Sequence, residues 1–332
     1  MKQKLKLSTY AVVVLLITAL SACKKEPKRN LPPNQSLPKP VANASFSLST
    51  QYAPVLAKFT NQSLHANRYA WYIGSSKVSE EQNPELLLAG IGNNTIRLVA
   101  KNNAGDSAVR DFSINVTKHP SLLHHFAFSN DFSNAGSATA AAGSINYSFA
   151  PDRKQAANSA VYFNGINTFV LLPNGMTGAA QDSISISLWF KPDDLTKAGV
   201  IFGYQSGALN TAPVHFVPVI YYSATGKLYV GAWNGRFAEG INAGTLLNNW
   251  VHVVVAANAT GQDVYVNGEK IKTINGRAAD GHMPFAYLGA TYTNNGWTEL
   301  TQGGNFFKGW IDDVRVYRKK LHVDEVRSLY KE

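Results

Sequence analysis

The sequence predicts an all-β protein in which two antiparallel sandwiches follow one another along the chain. Short segments of alternating apolar and polar residues recur over most of its length, and clusters of Gly, Asn, Asp and Ser separate them. A period of two is typical of strands with one buried face. Only residues 323–330 carry a weak helical pattern. Many short strands with turns between them favour a sandwich followed by a larger antiparallel jelly roll.

Residues 1–22 have the pattern of a secretory signal peptide. Three lysines within the first six residues precede an apolar stretch over residues 10–20, and small residues then lead to Cys23. This stretch is too short to span a bilayer. Residues 20–23, Leu-Ser-Ala-Cys, resemble the lipobox of bacterial lipoproteins. The resemblance implies cleavage before Cys23, lipidation of its sulfur and a lipid-anchored protein of the cell envelope, in the outer membrane. The alternative is a soluble secreted protein.

Cys23 is the only cysteine, so a disulfide within the chain is excluded and the folded part depends on its core. The net charge is +10, but residues 1–39 hold eight of the 31 Lys and Arg residues and one of the 21 Asp and Glu residues. Residues 23–44 contain five prolines, which predicts an extended tether between the anchor and the folded part. The folded part has no basic run, which argues against nucleic acid as a partner.

Residues 45–118 show the strand pattern and the length of a small Ig-type sandwich. Three motifs, FTNQS at 59–63, YAW at 69–71 and NTIRLVAKNNAG at 94–105, resemble a PKD-like domain. The acidic block of that family is replaced here by WYIGS at 71–75, so no role of its acidic residues is carried over. We expect Trp71 to lie in the core and the domain to act as a spacer.

Residues 119–332 carry a longer series of strand patterns. Residues 183–190 alternate strictly, and the Asn-Gly pair at 267–268 is a hairpin signal. Five motifs occur in an order that resembles a laminin-G-like, concanavalin A-like lectin/glucanase domain. They are FNG at 163–165, ISLWF at 186–190, NWVHV at 249–253, YVNG at 265–268 and GWIDDVRVY at 309–317. The resemblance implies a jelly roll that binds carbohydrate or a surface glycoprotein.

The sequence lacks the residue patterns of common hydrolases. A retaining glucanase needs two carboxylates about 5 Å apart. The pairs Asp193-Asp194 and Asp312-Asp313 are adjacent in sequence, so their side chains are expected on opposite faces of a strand. No motif of a serine hydrolase, a zinc protease or a phosphate loop occurs. We therefore expect a noncatalytic protein, with a diverged glycoside hydrolase as an alternative.

The family resemblance also implies one structural calcium ion. Asp312 matches the recurrent acidic residue, and Asp131 offers a second carboxylate. Ser133 stands where the family has a further carboxylate, which weakens the match. The alternative is that Asp312 or Asp313 pairs with Arg315 or caps a turn. The neighbouring histidines at 124 and 125 lack clustered ligands, so we expect them to be hydrogen bonded or exposed.

Sugar sites combine aromatic faces with amides and charges, and two predicted loops have that composition. Loops on a rigid sandwich are common places for recognition. The candidate ligand-binding residues are Trp233, Asn234 and Arg236 in one loop and Tyr292, Asn294 and Trp297 in the other. Trp189, Trp250 and Trp310 lie in strand motifs and are expected in the core. The function predicted is that of a noncatalytic surface lipoprotein that binds a glycan or glycoprotein; the alternative is a structural or partner-binding subunit of an outer-membrane complex.

Overall fold

In the computed structural model of the protein, twenty-two strands and one helix lie within the described residues, which confirms the all-β prediction. These residues are 38–136, 143–173, 183–205, 216–232, 236–275, 285–291 and 305–332. Residues 39–332 form one compact unit of the chain. No helix within the described ranges is both long enough and apolar enough to cross a membrane.

Two sheets pack into a sandwich at the start of the described chain. Its strands are β1 (Ala44–Leu48), β2 (Val55–Asn61), β3 (Arg68–Ile73), β4 (Ser76–Ser79), β5 (Glu85–Leu88), β6 (Gly92–Lys101) and β7 (Ser107–Val116). Among the described strands, one antiparallel sheet has the order β1-β2-β5, and the other has the order β4-β3-β6-β7. We call this part the first sandwich.

The core of the first sandwich is built around Trp71, which is fully buried as predicted. Its ring lies 4.8 Å from that of Phe59, and its indole N–H donates to the carbonyl of Glu81 at 2.9 Å. Ala42 and Ala44, which precede residue 45, are buried in the same core. A buried tryptophan with its single donor satisfied stabilises the contact between the two sheets.

The second, larger sandwich contains the remaining strands and the helix. They are β8 (Leu122–Phe126), β9 (Gly143–Ile145), β10 (Ser148–Ala150), β11 (Ala160–Asn164), β12 (Phe169–Leu172), β13 (Ser183–Pro192), β14 (Gly199–Gln205), β15 (Phe216–Tyr222), β16 (Leu228–Ala232), β17 (Arg236–Ile241), β18 (Val251–Asn258), β19 (Gly261–Val266), β20 (Glu269–Asn275), β21 (Phe285–Leu288), β22 (Lys308–Tyr317) and α1 (Val323–Lys331).

Two antiparallel sheets form the larger sandwich. The described strands of one have the order β10-β11-β22-β13-β18-β19-β20, and β8 also pairs with β22; we call this the eight-stranded sheet. Those of the other have the order β17-β16-β15-β14-β21-β12-β9. The core between them is apolar and contains alternate residues of each strand, for example Ile186, Leu188, Phe190, Val253, Val255, Phe202, Ile220 and Leu288. The hairpin between β19 and β20 turns at Asn267 and Gly268, both with positive φ, as the Asn-Gly signal predicted.

The outer face of the eight-stranded sheet is covered at one end by helix α1. Val326 and Leu329 of the helix pack against a second apolar cluster that includes Leu122, Tyr265 and Tyr317. His322 caps the helix, and the side chain of Glu325 accepts from the His322 backbone N–H at 2.7 Å. The sheet is therefore buried on both faces where the helix lies.

The segment between the two sandwiches is fixed by His119. Its Nε2 lies 3.0 Å from Oε1 of Glu325, and its Nδ1 accepts from the backbone N–H of Ser121 at 3.0 Å. The His119 ring also lies 4.8 Å from the ring of Tyr52 in the first sandwich and 5.1 Å from that of Tyr317. Since Nδ1 accepts a hydrogen bond, Nε2 carries the proton that it donates to the Glu325 carboxylate.

Candidate functional site

A row of side chains crosses the outer face of the eight-stranded sheet beyond Trp189, whose ring packs on Tyr330 of α1. Tyr162 on β11 is directly opposite Trp310 on β22, and Trp310 is directly opposite Lys191 on β13. Trp250, just before β18, lies on the other side of Lys191. All four side chains are half-buried. We call these four residues the aromatic row.

The contacts within the aromatic row fix its geometry. The ammonium nitrogen of Lys191 lies 4.0 Å from the centroid of the Trp310 ring and 5.5 Å from that of Trp250. The rings of Tyr162 and Trp310 are 5.1 Å apart and tilted by 51°. A cation within about 6 Å of an indole ring is attracted to the negative face of that ring. The lysine therefore links the two indoles, and the strands beneath hold all four residues in place.

Polar groups border the aromatic row on one side. The Tyr162 hydroxyl donates to the carboxylate of Asp193 at 3.4 Å, and the ammonium of Lys308 lies 3.6 Å from the same carboxylate. Partial burial and the Asp193 charge raise the pKa of the Tyr162 hydroxyl, which stays protonated at neutral pH. Aromatic faces thus lie beside a hydroxyl, a carboxylate and ammonium groups, the mixture that recognises a ligand with both apolar and hydroxyl-bearing surfaces.

The positions of Trp250 and Trp310 differ from the sequence prediction. Both were expected in the core, and both are half-buried on the outer face of the sheet. Trp189 is buried as expected, with its ring 5.6 Å from that of Tyr330 in α1. The difference arises because Tyr330 of α1 packs on Trp189, whereas Trp250 and Trp310 stay partly open to solvent. The alternation did contain a signal. Ile311 is buried in the core, so its neighbour Trp310 must lie on the opposite face of the strand.

A cluster of buried charges lies beside Trp189 on the same face of the sheet. The guanidinium of Arg153 donates to Asp312 at 2.5 Å and to Asp313 at 3.1 Å, and it lies over the Trp189 ring. Arg315 donates to Asp313 at 2.8 Å, so the predicted alternative for this motif, a pair with Arg315, is confirmed. Buried carboxylates of this kind require such partners to offset their loss of hydration.

The arrangement of Asp312 and Asp313 corrects a second prediction. Adjacent residues were expected on opposite faces, but both carboxylates contact Arg153. Asp313 has a φ of 49°, and the register of β13 with β22 shifts between Ser187 and Trp189. An extra residue at such a bulge rotates the following side chain, and alternation in the sequence does not reveal it.

The two carboxyl groups have opposite pKa shifts. Burial and the neighbouring charge of Asp313 raise the pKa of Asp312 to about 7. Burial alone would raise the pKa of Asp313 too, but the Arg315 guanidinium and the His125 ring, whose Nε2 lies 2.9 Å away, hold it well below its usual range. Asp313 is therefore the ionised member of the pair at neutral pH, whereas the pKa of Asp312 lies close to neutral pH.

The two candidate calcium ligands are engaged by other groups of the protein. Asp312 is hydrogen bonded to Arg153, and Asp131 is exposed and accepts from the backbone N–H and the hydroxyl of Ser133 at 2.9 and 2.7 Å. In the part of the chain that the structure describes, no group of three or more His, Cys, Asp or Glu side chains could hold a metal ion. A calcium site that uses Asp131 and Asp312 stays a prediction.

Most of the predicted ligand-binding residues fall outside the described residues. They are Trp233, Asn234, Tyr292, Asn294 and Trp297, and Cys23 lies outside them as well. Arg236 is the first residue of β17, and its backbone pairs with Ala232. The histidine pair behaves as expected, since His125 is bonded to Asp313 and the Nδ1 of His124 lies 2.8 Å from the amide nitrogen of Asn134.

Several solved structures resemble this chain in part. Domain 4 of AbnA, a GH43 extracellular arabinanase from Geobacillus stearothermophilus in complex with arabinotriose, has 21% identity and a TM-score of 0.48, and the match covers 63% of this chain and 98% of that one. A mutant Trypanosoma rangeli sialidase displaying trans-sialidase activity has 13% identity and a TM-score of 0.47, with 88% and 53% covered. The ligand binding domain of botulinum neurotoxin serotype D, in complex with N-acetylneuraminic acid, has 13% identity and a TM-score of 0.46, with 64% and 50% covered.

The chain thus spans about half the length of the sialidase and of the toxin domain. No curated protein sequence matches it significantly. A family model described as the concanavalin A-like lectin/glucanases superfamily matches residues 164–327, which hold most of the larger sandwich. Residues 164–327 are therefore a concanavalin A-like lectin/glucanase domain.

Proposed function

We propose that this chain is a noncatalytic surface protein whose lectin/glucanase domain binds carbohydrate, either free or on a surface glycoprotein. The aromatic row is the observation that carries the proposal. A sugar ring has apolar C–H faces and polar hydroxyls, so it can lie on the exposed parts of Trp310 and Trp250. Lys191 and the Asp193–Lys308 pair would then contact the hydroxyls. Side chains held on paired strands lose little entropy when a ligand binds, which favours a binding site there.

The surroundings of the paired carboxylates support the noncatalytic part of the proposal. Asp312 and Asp313 are buried and bonded to arginines. Asp194 accepts from the backbone N–H and the hydroxyl of Thr196 at 2.8 and 2.7 Å, which closes a turn. Asp193 lies between Tyr162 and Lys308. Each of these four carboxylates has a structural partner, whereas an acid or nucleophile in glycoside hydrolysis must face the scissile bond.

The remainder of the proposal concerns the position of the protein in the cell. Lipidation at Cys23 would anchor the chain to the cell envelope, in the outer membrane, and the proline-rich segment between Cys23 and residue 39 would hold the folded part away from the lipid. The first sandwich would act as a PKD-like spacer between the tether and the lectin/glucanase domain. Cell fractionation checks the anchor: the Cys23→Ala protein should leave the membrane fraction, and its retention there would refute lipid anchoring.

A glycan array probed with the full chain tests the binding function. We expect binding to a defined set of glycans, strong loss of binding for Trp310→Ala, and partial binding for Trp310→Phe, because phenylalanine keeps an aromatic face. A blank array with correctly folded protein would argue for the alternative, a structural or partner-binding subunit. Release of new reducing ends from a bound glycan during incubation would overturn the noncatalytic assignment.

A further inference from the structure

The first sandwich has a cavity of its own, outside the lectin/glucanase domain. The cavity has a volume of about 470 Å³ and lies against β3 and β6. Ala70 and Val99 contribute to its lining, and the amide side chains of Asn67 and Gln82 are further lining residues. Ala70 and Val99 are directly opposite each other in the sheet, on the face that points away from Trp71 and the core. The volume falls within the range of small-molecule binding sites.

Two cations that also line this cavity are directly opposite each other. Arg68 on β3 is the register partner of Lys101 on β6, and both side chains are exposed. Like charges at directly opposed positions destabilise a sheet. The Arg68 guanidinium donates only a long hydrogen bond, 3.4 Å, to the carbonyl of Asn102. Within the described ranges, neither Arg68 nor Lys101 forms an ion pair, so no directly bonded carboxylate offsets their repulsion.

Two carboxylates of this part of the first sandwich are already paired with other cations. Glu80 lines the cavity, but it is bonded to Lys77 at 2.7 Å. Asp111, on the same sheet, is bonded to Arg97 through two hydrogen bonds of 2.8 Å. Arg68 and Lys101 therefore both line the cavity, and among the described residues neither cation is paired with a carboxylate. A fold that keeps an unfavourable charge pair beside a cavity favours an anionic ligand.

We propose that this cavity binds a carboxylate-bearing sugar residue of an acidic saccharide. The forked guanidinium of Arg68 matches a carboxylate in two hydrogen bonds, and the ammonium of Lys101 contributes a second charge. The amides of Asn67 and Gln82 can both donate to and accept from ring hydroxyls. Ala70 and Val99 offer small apolar surfaces to the C–H face of the sugar. An acidic peptide fits less well, because the neighbouring cations Lys77 and Arg97 are paired and the described residues beside the cavity offer no row of free cations for its successive charges.

Calorimetric titration of the full chain tests this site with defined probes. The probes are a trisaccharide of galacturonic acid, the neutral galactose trisaccharide and a short polyglutamate peptide, each at low and at high salt. We expect binding of the acidic trisaccharide alone, weakened by salt. Arg68→Gln and Lys101→Gln should each weaken it by about tenfold or more, the usual effect of removing a hydrogen bond to a charged group.

Two control variants keep the result specific to this cavity. Lys58→Gln removes an exposed charge from β2 in the other sheet and should leave the affinity unchanged. The same titrations of Trp310→Ala separate any saccharide binding by the aromatic row, so failure here and failure of the aromatic row are distinguishable. The proposal is overturned if the neutral trisaccharide binds equally well, if Arg68→Gln and Lys101→Gln bind like the wild type, if only polyglutamate binds, or if no probe binds while thermal melts show folded protein.

Discussion

Lys191 and Trp310 are directly opposite each other on β13 and β22, with the lysine ammonium 4.0 Å from the centre of the indole ring. Each has a fully buried neighbour on its own strand, Phe190 before Lys191 and Ile311 after Trp310. The aromatic row is therefore attached to the rigid core although its own side chains are half-exposed. Removing an aromatic ring from such a surface should leave the fold intact. The effect of a substitution on ligand binding can therefore be measured apart from its effect on stability.

Trp310→Ala should cost much less stability than Trp71→Ala. Trp71 is fully buried with its indole N–H bonded, so its truncation should lower the free energy of unfolding by about 3–5 kcal/mol. Trp310 is half-buried, and its loss should cost about 1–2 kcal/mol because part of its area is already in water. Urea denaturation of both variants measures the two values. An equal loss would mean that Trp310 is a core residue after all.

Arg153→Met should be strongly destabilising. The guanidinium lies between Asp312 and Asp313, and its removal leaves two buried carboxylates close together. The expected cost is about 3–5 kcal/mol, the usual effect of removing one partner from a buried charge pair. Arg97→Met is the matched control, because it breaks an exposed pair with Asp111 and should change the midpoint of urea unfolding little. Similar midpoints for the two variants would contradict the structural role of Arg153.

Asp312→Asn should remove a pH dependence that the wild type shows. The pKa of Asp312 is about 7 in the folded protein and 3.8 in the unfolded reference state. Between these two pH values the folded state therefore binds more protons than the unfolded state. The contribution of Asp312 to stability therefore falls as pH rises from about 4 to about 7. The asparagine cannot titrate, and the free energy of unfolding of the variant minus that of the wild type should increase over this range.

Subtracting the free energy of unfolding of the wild type from that of Asp312→Asn removes the contribution of His252, whose pH dependence has the opposite direction. Burial lowers the pKa of His252 to about 3 from 6.5, so its contribution to stability is lost as pH falls from 6.5 to about 3. Both proteins contain His252, and its effect cancels in the subtraction. A flat difference curve, measured by urea unfolding at several pH values, would show that Asp312 has an ordinary pKa in the fold.

Glu325→Gln should weaken the protein at neutral pH but not in strong acid. Burial alone would raise the pKa of Glu325, but the hydrogen bonds from His119, the His322 backbone and Lys319 lower it to about 2 from 4.5. Its stabilising contribution is therefore present above pH 4.5 and lost as pH falls towards about 2. We expect a loss of up to about 3 kcal/mol at pH 7. Unfolding followed by fluorescence should show the two proteins converging below pH 3; a constant gap would refute the shift.

Local sequence patterns were sufficient to predict most strands of the fold. The alternation over residues 183–190 corresponds to β13 (Ser183–Pro192), and the weak helical pattern at 323–330 corresponds to α1 (Val323–Lys331). Trp71 was correctly placed in a core. Alternation works in these segments because one face of each strand packs on an apolar core, which selects apolar residues at every second position.

The parts that were missed depend on contacts between distant segments. Alternation shows that Trp310 and Ile311 face opposite ways, but not that Trp310 stays partly open to solvent while Trp189 is buried against α1. The bulge at Asp313 and the approach of Arg153, 159 residues before Asp312, leave no local signal either. Likewise the repulsive pair of Arg68 and Lys101 becomes visible only once the register of β3 and β6 is known.

Because β22 comes late in the sequence, the eight-stranded sheet can be completed only late in synthesis. This strand pairs with β11, β13 and β8, yet in sequence it is the last strand of the described chain. During synthesis the sheet therefore lacks its central member until residues 308–317 have left the ribosome, and such long-range pairing is slow. A chain that ends before residue 308 would therefore leave β8, β11 and β13 without their common partner.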